Sequence, residues 1–136
     1  MSAARASLLA LALAGLVVLT AGCGSDGPSS APSDCTRADD GKPTLVARNL
    51  QWNTDCLQTT AGQQVTFTVK LEDEGVKHDL EVYGTGIERT KTELEAGPAT
   101  QTLDVDFPSA GGTFSYVCTI HAQMDGDLFV DAAPSG

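Results

Sequence analysis

The sequence predicts an all-β sandwich. Apolar and polar residues alternate with period two along several short stretches, and turn-forming clusters rich in glycine separate those stretches. Six or more short strands spaced by such turns suit two packed sheets. The length, 136 residues, suits one domain.

The elements follow in chain order. Thr44 to Trp52 is a first candidate strand. Val65, Phe67, Val69 and Leu71 share one face, with Thr66, Thr68 and Lys70 opposite. His78, Leu80 and Val82 share a face, with Asp79, Glu81 and Tyr83 opposite. Leu103, Val105 and Phe107 alternate with Asp104 and Asp106. Phe114, Tyr116 and Cys118 alternate with Ser115 and Val117, and Leu128 to Asp131 is a last candidate. Turns are expected at Thr60-Ala61-Gly62, Asp73-Glu74-Gly75, Gly97-Pro98, Ser109-Ala110-Gly111-Gly112 and Asp125-Gly126. The stretch Gly84 to Gln101 reads either as loop or as holding a short helical turn near Lys91 to Ala96.

The N-terminus has a different composition. Residues 1–22 read as an export signal: Arg5 is the only basic residue, and Leu8 to Ala21 is apolar apart from Gly15 and Thr20. That run is too short for a good membrane span and fits a signal h-region. Leu19-Thr20-Ala21-Gly22-Cys23 resembles a bacterial lipobox, which implies cleavage before Cys23 and a diacylglyceryl group on its sulfur. Thr20 departs from the leucine usual there, and a simple secretory signal is the plainer alternative. A lipid would hold the domain to a membrane face by acyl burial rather than by a spanning helix. Residues 23–43 then read as lipidated cysteine and flexible tether, with Gly24 to Asp34 made of Gly, Ser, Pro, Ala and Asp. Residues 44–133 form the domain, and Pro134-Ser135-Gly136 is a short tail.

The net charge is −10, and losing Arg5 with the leader makes it one unit more negative. Such a charge disfavours nucleic acid and anionic lipid surfaces as partners. It suits solubility, or a partner with a basic docking face.

The four cysteines separate by role. Cys23 is the lipidation candidate. Cys35 and Cys56 read as a disulfide of an exported domain, worth about 3 kcal/mol by loop entropy. Cys118 is then left free. A competing arithmetic pairs Cys118 with Cys35 or Cys56, but it strands another thiol outside the cell.

Cys118 belongs to the most informative heptapeptide, Cys118-Thr119-Ile120-His121-Ala122-Gln123-Met124. It holds a thiolate, an imidazole and a thioether, donors that favour copper over magnesium or calcium. The chain has only two histidines, His78 and His121, and only two methionines, Met1 and Met124. Strand parity turns His78 and Cys118 toward the core side, and a loop after Cys118 brings His121 and Met124 back to it. Singly, each residue is more ordinarily explained by packing. At this spacing, with no other histidine to choose, the packing reading loses. Asp125-Gly126-Asp127 with Asp131 lacks the calcium-loop pattern and reads as a polar turn.

His78 followed by Cys-x2-His-x2-Met resembles the cupredoxins, the type 1 blue copper proteins, with a short ligand loop like that of the amicyanin and plastocyanin type. The stretches Trp52-Asn53-Thr54-Asp55-Cys56-Leu57, Thr60-Ala61-Gly62, Gly97-Pro98-Ala99-Thr100 and Gly112-Thr113-Phe114-Ser115-Tyr116-Val117-Cys118 are similar to small bacterial members. The resemblance spans Leu45 to Asp131. It implies a Greek-key sandwich and one copper ion cycling between Cu(I) and Cu(II). His78, Cys118 and His121 would be the strong ligands and Met124 the weak axial one. Two departures stand out. Asp79 occupies the position where Asn or Ser usually follows the first histidine, and Lys77 the position where Pro often precedes it. A carboxylate at 79 can accept from Thr119 but cannot donate, and its charge favours Cu(II).

These readings lead first to a one-electron carrier, monomeric and lipid-anchored at the outer face of the cytoplasmic membrane, meeting a redox partner protein through the exposed edge of His121, with Ala122 and Val76 on the apolar rim. The alternative is a copper-buffering or copper-delivery protein using the same ligands. An enzyme is disfavoured, because further copper sites need further histidines and both are already used.

Overall fold

The computed structural model describes residues 30–62 and 64–136. The signal segment, Cys23 and the start of the tether lie outside them. The strands are β1 (Thr36–Ala38), β2 (Thr44–Arg48), β3 (Gln51–Trp52), β4 (Cys56–Thr60), β5 (Val65–Leu71) and β6 (Lys77–His78). They continue with β7 (Glu81–Tyr83), β8 (Thr90–Lys91), β9 (Glu95–Ala96), β10 (Ala99–Val105), β11 (Gly112–Cys118) and β12 (His121–Asp131). One sheet has the order β1-β4-β12-β11-β7-β8 and the other β10-β5-β2-β3, with β6 and β9 forming a small ribbon. Among the described residues the structure is all-β, as the alternation requires.

The two sheets close over one core. Val65, Phe67, Val69 and Leu71 of β5 face Leu57, Val82, Phe114, Tyr116, Leu128 and Val130 of the other sheet, all buried. On β5 the expected pattern is complete, with Thr66 and Thr68 half-buried and Lys70 exposed. β10 pairs antiparallel with β5 from Ala99↔Leu71 to Val105↔Val65, so Leu103 and Val105 face inward while Asp104 stays outside. The β11–β12 hairpin brings Tyr116 opposite Gly126. A Cβ at Gly126 would land on the Tyr116 ring, so glycine is what lets that ring lie across the strand. The Tyr116 hydroxyl donates to the Thr54 carbonyl at 2.7 Å, and burial raises its pKa above the ordinary tyrosine value.

Four sequence expectations change. The stretch Thr44 to Trp52 is two strands, because Asn49 and Leu50 take left-handed conformations (φ 55° and 57°) and fold β2 back on β3. The final strand begins at His121 rather than Leu128, so Asp125-Gly126 continues a ladder instead of turning; the register shift between Val117 and Cys118 absorbs the irregularity. Gly84 to Gln101 contains no helical turn: β8 and β9 lie there, pairing with β7 and β6. β1 lies in the stretch read as tether, where it pairs in parallel with β4 ahead of the expected start at Thr44. The Cys35–Cys56 disulfide fastens that N-terminal strand region to β4. Cys118 is a free, buried thiol, so the alternative pairing is not the one adopted.

Candidate metal centre

The strand segment carrying His78 is short and interrupted. β6 ends at His78 and β7 begins at Glu81, leaving Asp79 and Leu80 outside the regular ladder. Both faces of this segment are buried: His78, Asp79 and Leu80 have no exposed surface, and Glu81 very little. Alternation therefore places His78 correctly but does not expose Asp79. Buried polar groups need partners, and each has one. The Asp79 carboxylate accepts from the Thr119 amide (2.7 Å) and hydroxyl (2.6 Å), with the Lys91 ammonium 3.6 Å away. Glu81 is paired with Arg89, which also stacks over the Tyr83 ring.

Asp79 thus ties the His78 segment to the residue directly after Cys118. As a carboxylate Asp79 only accepts, and Thr119 supplies both donors. Burial pushes the Asp79 carboxyl upward. The Thr119 hydroxyl and amide, the Cys118 thiol and the Lys91 ammonium outweigh it and hold the carboxyl below the usual range.

Cys118 is the last residue of β11, and the hairpin turn Thr119-Ile120 returns the chain at once into β12 with His121. The turn is tight enough to place Cys118 directly opposite His121. The Cys118 Sγ lies 3.5 Å from His121 Nδ1 and 3.9 Å from His78 Nδ1, and the two Nδ1 atoms are 3.2 Å apart. One ligand atom from each of the three residues lies within 4.8 Å of the others. Both imidazoles present the same ring nitrogen to the sulfur. Two ring nitrogens and one sulfur converging this closely make a donor set that fits a shared soft or borderline cation.

Met124 is fully buried in β12, and its carbonyl accepts from Trp52 Nε1 at 3.0 Å. The expectation of a loop carrying His121 and Met124 is replaced by β12, but its pairing with β11 skips from His121 to Asp125, so Met124 lies on an irregular stretch held by the Trp52 bond. The three exposed large apolar residues among those described, Leu50, Leu94 and Ile120, lie on segments joined to this end. Ile120 sits between Cys118 and His121, Leu94 precedes the residue paired with His78, and the Leu50 amide bonds the carboxylate that holds His78. Ala122 is exposed and Val76 half-buried.

That carboxylate, Asp73, is the residue sequence reasoning did not single out. Its Oδ2 lies 3.0 Å from His78 Nε2, the ring nitrogen turned away from the sulfur. The only sequence signal was an acidic residue in a turn, which many turns contain.

No protein-family model and no curated protein sequence matches the chain. Solved structures do. Dithionite-reduced auracyanin from Roseiflexus castenholzii superposes with a TM-score of 0.59 at 18% identity, covering 71% of this chain and 100% of that one. Auracyanin A of Chloroflexus aurantiacus, a blue copper protein, gives a TM-score of 0.57 at 18% identity with the same coverage. Amicyanin from Paracoccus versutus gives 0.52 at 17% identity over 74% of this chain and 85% of its own. The fold is the cupredoxin fold. A copper-containing nitrite reductase from Thermus scotoductus also matches, with a TM-score of 0.54, but the chain covers only 28% of it. A cupredoxin sandwich accounts for the sheet order, and His78, Cys118 and His121 come together at one end of it.

Proposed function

We propose that this protein is a one-electron carrier whose single copper ion is held by Cys118, His78 and His121, with Met124 as the weak axial donor. The observation that carries the reading is the convergence of one thiol sulfur and two Nδ1 atoms, from three segments, in a pocket with two buried members. Thiolate with imidazole is the donor set that accepts both copper valences. The bound ion would take up and release one electron.

The chain's own residues provide the rest. His78 and Cys118 are buried between paired strands, so their positions do not depend on solvent. Asp79 clamps the two ligand-bearing segments through Thr119. A pocket held this way has little freedom to rearrange when the charge at its centre changes. His121 is the half-exposed member, and its edge is the natural port for electron exchange. Ile120 and Ala122 beside it offer apolar surface to a protein partner, and the acidic balance of the chain favours a partner with a basic face.

The setting we propose is the outer face of the cytoplasmic membrane, with residues 1–22 removed, Cys23 lipidated and the folded domain carried on the tether as a monomer. The Cys35–Cys56 disulfide supports an oxidising compartment. We assign no catalytic activity of the chain's own, since both histidines are taken up by one site.

The test is optical and EPR spectroscopy of the purified protein loaded with Cu(II). An intense visible thiolate-to-copper band with narrow hyperfine splitting, and copper retained against a Cu(I) chelator after reduction, supports the carrier. A pale oxidised form with fast loss of Cu(I) to the chelator favours copper buffering or delivery instead.

A further inference from the structure

We propose that Asp73 is the positioning residue of the metal centre. One carboxylate sets the proton of His78 and also closes the β2–β3 turn, so that the ligand and the edge of the opposite sheet are locked together. This rests on the reading of His78 as a ligand.

The geometry is specific. Asp73 Oδ1 accepts the Asn49 amide at 2.6 Å, and Oδ2 accepts both the Leu50 amide at 3.0 Å and His78 Nε2 at 3.0 Å. Three donors from two segments converge on one side chain. Ionised carboxylate is the state that accepts all three. The backbone of Asp73 is itself held, because its carbonyl accepts the Val76 amide at 3.2 Å and the Gly75 amide, two residues on, donates to the Gly97 carbonyl.

With a carboxylate on Nε2, the neutral His78 ring carries its proton there and turns an unprotonated Nδ1 toward Cys118. That is the tautomer a cation needs, and an outer carboxylate also raises the basicity of the donor nitrogen. His78 has no exposed surface, so water cannot substitute for Asp73 in this role. The same carboxylate supports Leu50, a non-glycine residue at φ 57°, a conformation that side chains rarely adopt without help. Each half of the arrangement alone has an ordinary explanation as a turn cap or a histidine partner. Sharing Oδ2 between them makes the turn and the ligand one unit.

The experiment separates these halves. In the full chain, Asp73→Asn keeps the shape but offers a single acceptor atom to three donors. It is expected to weaken Cu(II) binding about 10- to 100-fold in chelator competition, the range typical of losing an outer partner of a metal-ligating histidine. In the metal-free protein, the ¹⁵N shifts of the His78 ring are expected to move from the Nε2–H form toward a tautomer mixture. A second variant, Asn49→Gly with Leu50→Gly, removes the turn's need for support. Placed on Asp73→Asn it is expected to recover thermal stability without recovering Cu(II) affinity. Unchanged Cu(II) affinity in Asp73→Asn, or affinity restored by the two glycines, overturns the proposal and leaves Asp73 a turn cap. If the parent protein itself gives no intense Cu(II) band, the ligand assignment fails, and the tautomer measurement still judges Asp73 on its own.

Discussion

The two sides of the metal centre are built differently. His78 comes from an interrupted strand pair, has no exposed surface, and has its outer ring nitrogen on the Asp73 carboxylate. His121 starts a long strand immediately after a two-residue turn, is paired with Cys118, and keeps part of its surface in solvent. One histidine is a wall and the other a window. The buried side has to be secured by charged and hydrogen-bonded neighbours, whereas the open side is secured by the ladder of the β11–β12 hairpin. Rigidity and access are therefore supplied by separate segments.

Removing each histidine sharpens that contrast most. His78→Gly and His121→Gly are each expected to lose more than about 100-fold in Cu(II) affinity, beyond the cost of losing an outer partner. Added imidazole is expected to restore the visible band of His121→Gly at lower concentration than that of His78→Gly, because only the first gap opens to solvent. Titrations followed by absorbance check this, and equal imidazole requirements would remove the distinction between wall and window.

On the open side, Gly126→Ala forces a methyl group into the Tyr116 ring across the hairpin. The expected loss is about 1–3 kcal/mol of unfolding free energy, as for other overpacked sites. Chemical denaturation measures it, and an unchanged midpoint would show that the hairpin is not the tight support described.

On the buried side, Asp79→Asn removes a negative charge next to His78 while leaving a side chain of the same shape. The reduction potential is expected to rise, by an amount on the order of 1 kcal/mol or some tens of millivolts for a charge several ångströms away in a partly screened site. Voltammetry of parent and variant decides it; an unchanged potential means that the charge is fully compensated by Lys91 and Thr119.

The smallest effects concern pH. Asp73 and Asp79 are both held below the ordinary carboxylate value in the folded protein. Their contribution to stability is therefore complete above the unfolded value near pH 4 and is lost as pH falls through the lower folded values. Tyr116 runs the other way. Its folded pKa is raised, so its contribution is complete below about pH 10, the unfolded tyrosine value, and is lost as pH rises beyond it. Unfolding curves of the metal-free protein across pH are expected to show a plateau between these limits. Stability that kept rising below pH 4 would contradict the assigned ionisation of the two carboxylates.

The body of the sandwich was legible because packing alone governs it. On β5, β10 and β11 each residue has one neighbouring sheet and one solvent face, so period two carries the whole message. The ligand inventory was legible because the chain offers so few histidines and cysteines to choose from. What alternation could not show lies where both faces are covered. Asp79 and Glu81 are buried opposite His78 because other segments pack over them, and only hydrogen bonds from distant residues make that tolerable. The paired left-handed residues Asn49 and Leu50 were hidden for a similar reason: leucine gives no turn signal, and the support comes from Asp73. Asp125-Gly126 fell on a strand because glycine at 126 leaves room for the Tyr116 ring, so the ladder runs through a sequence that otherwise reads as a turn.

X-ray absorption at the copper edge, on oxidised and reduced protein at neutral pH, tests the central claim most directly. One short sulfur and two imidazole nitrogens are expected in both valences, with nearly unchanged distances. Absence of a short sulfur scatterer, or a change in the number of nitrogen ligands on reduction, would contradict it.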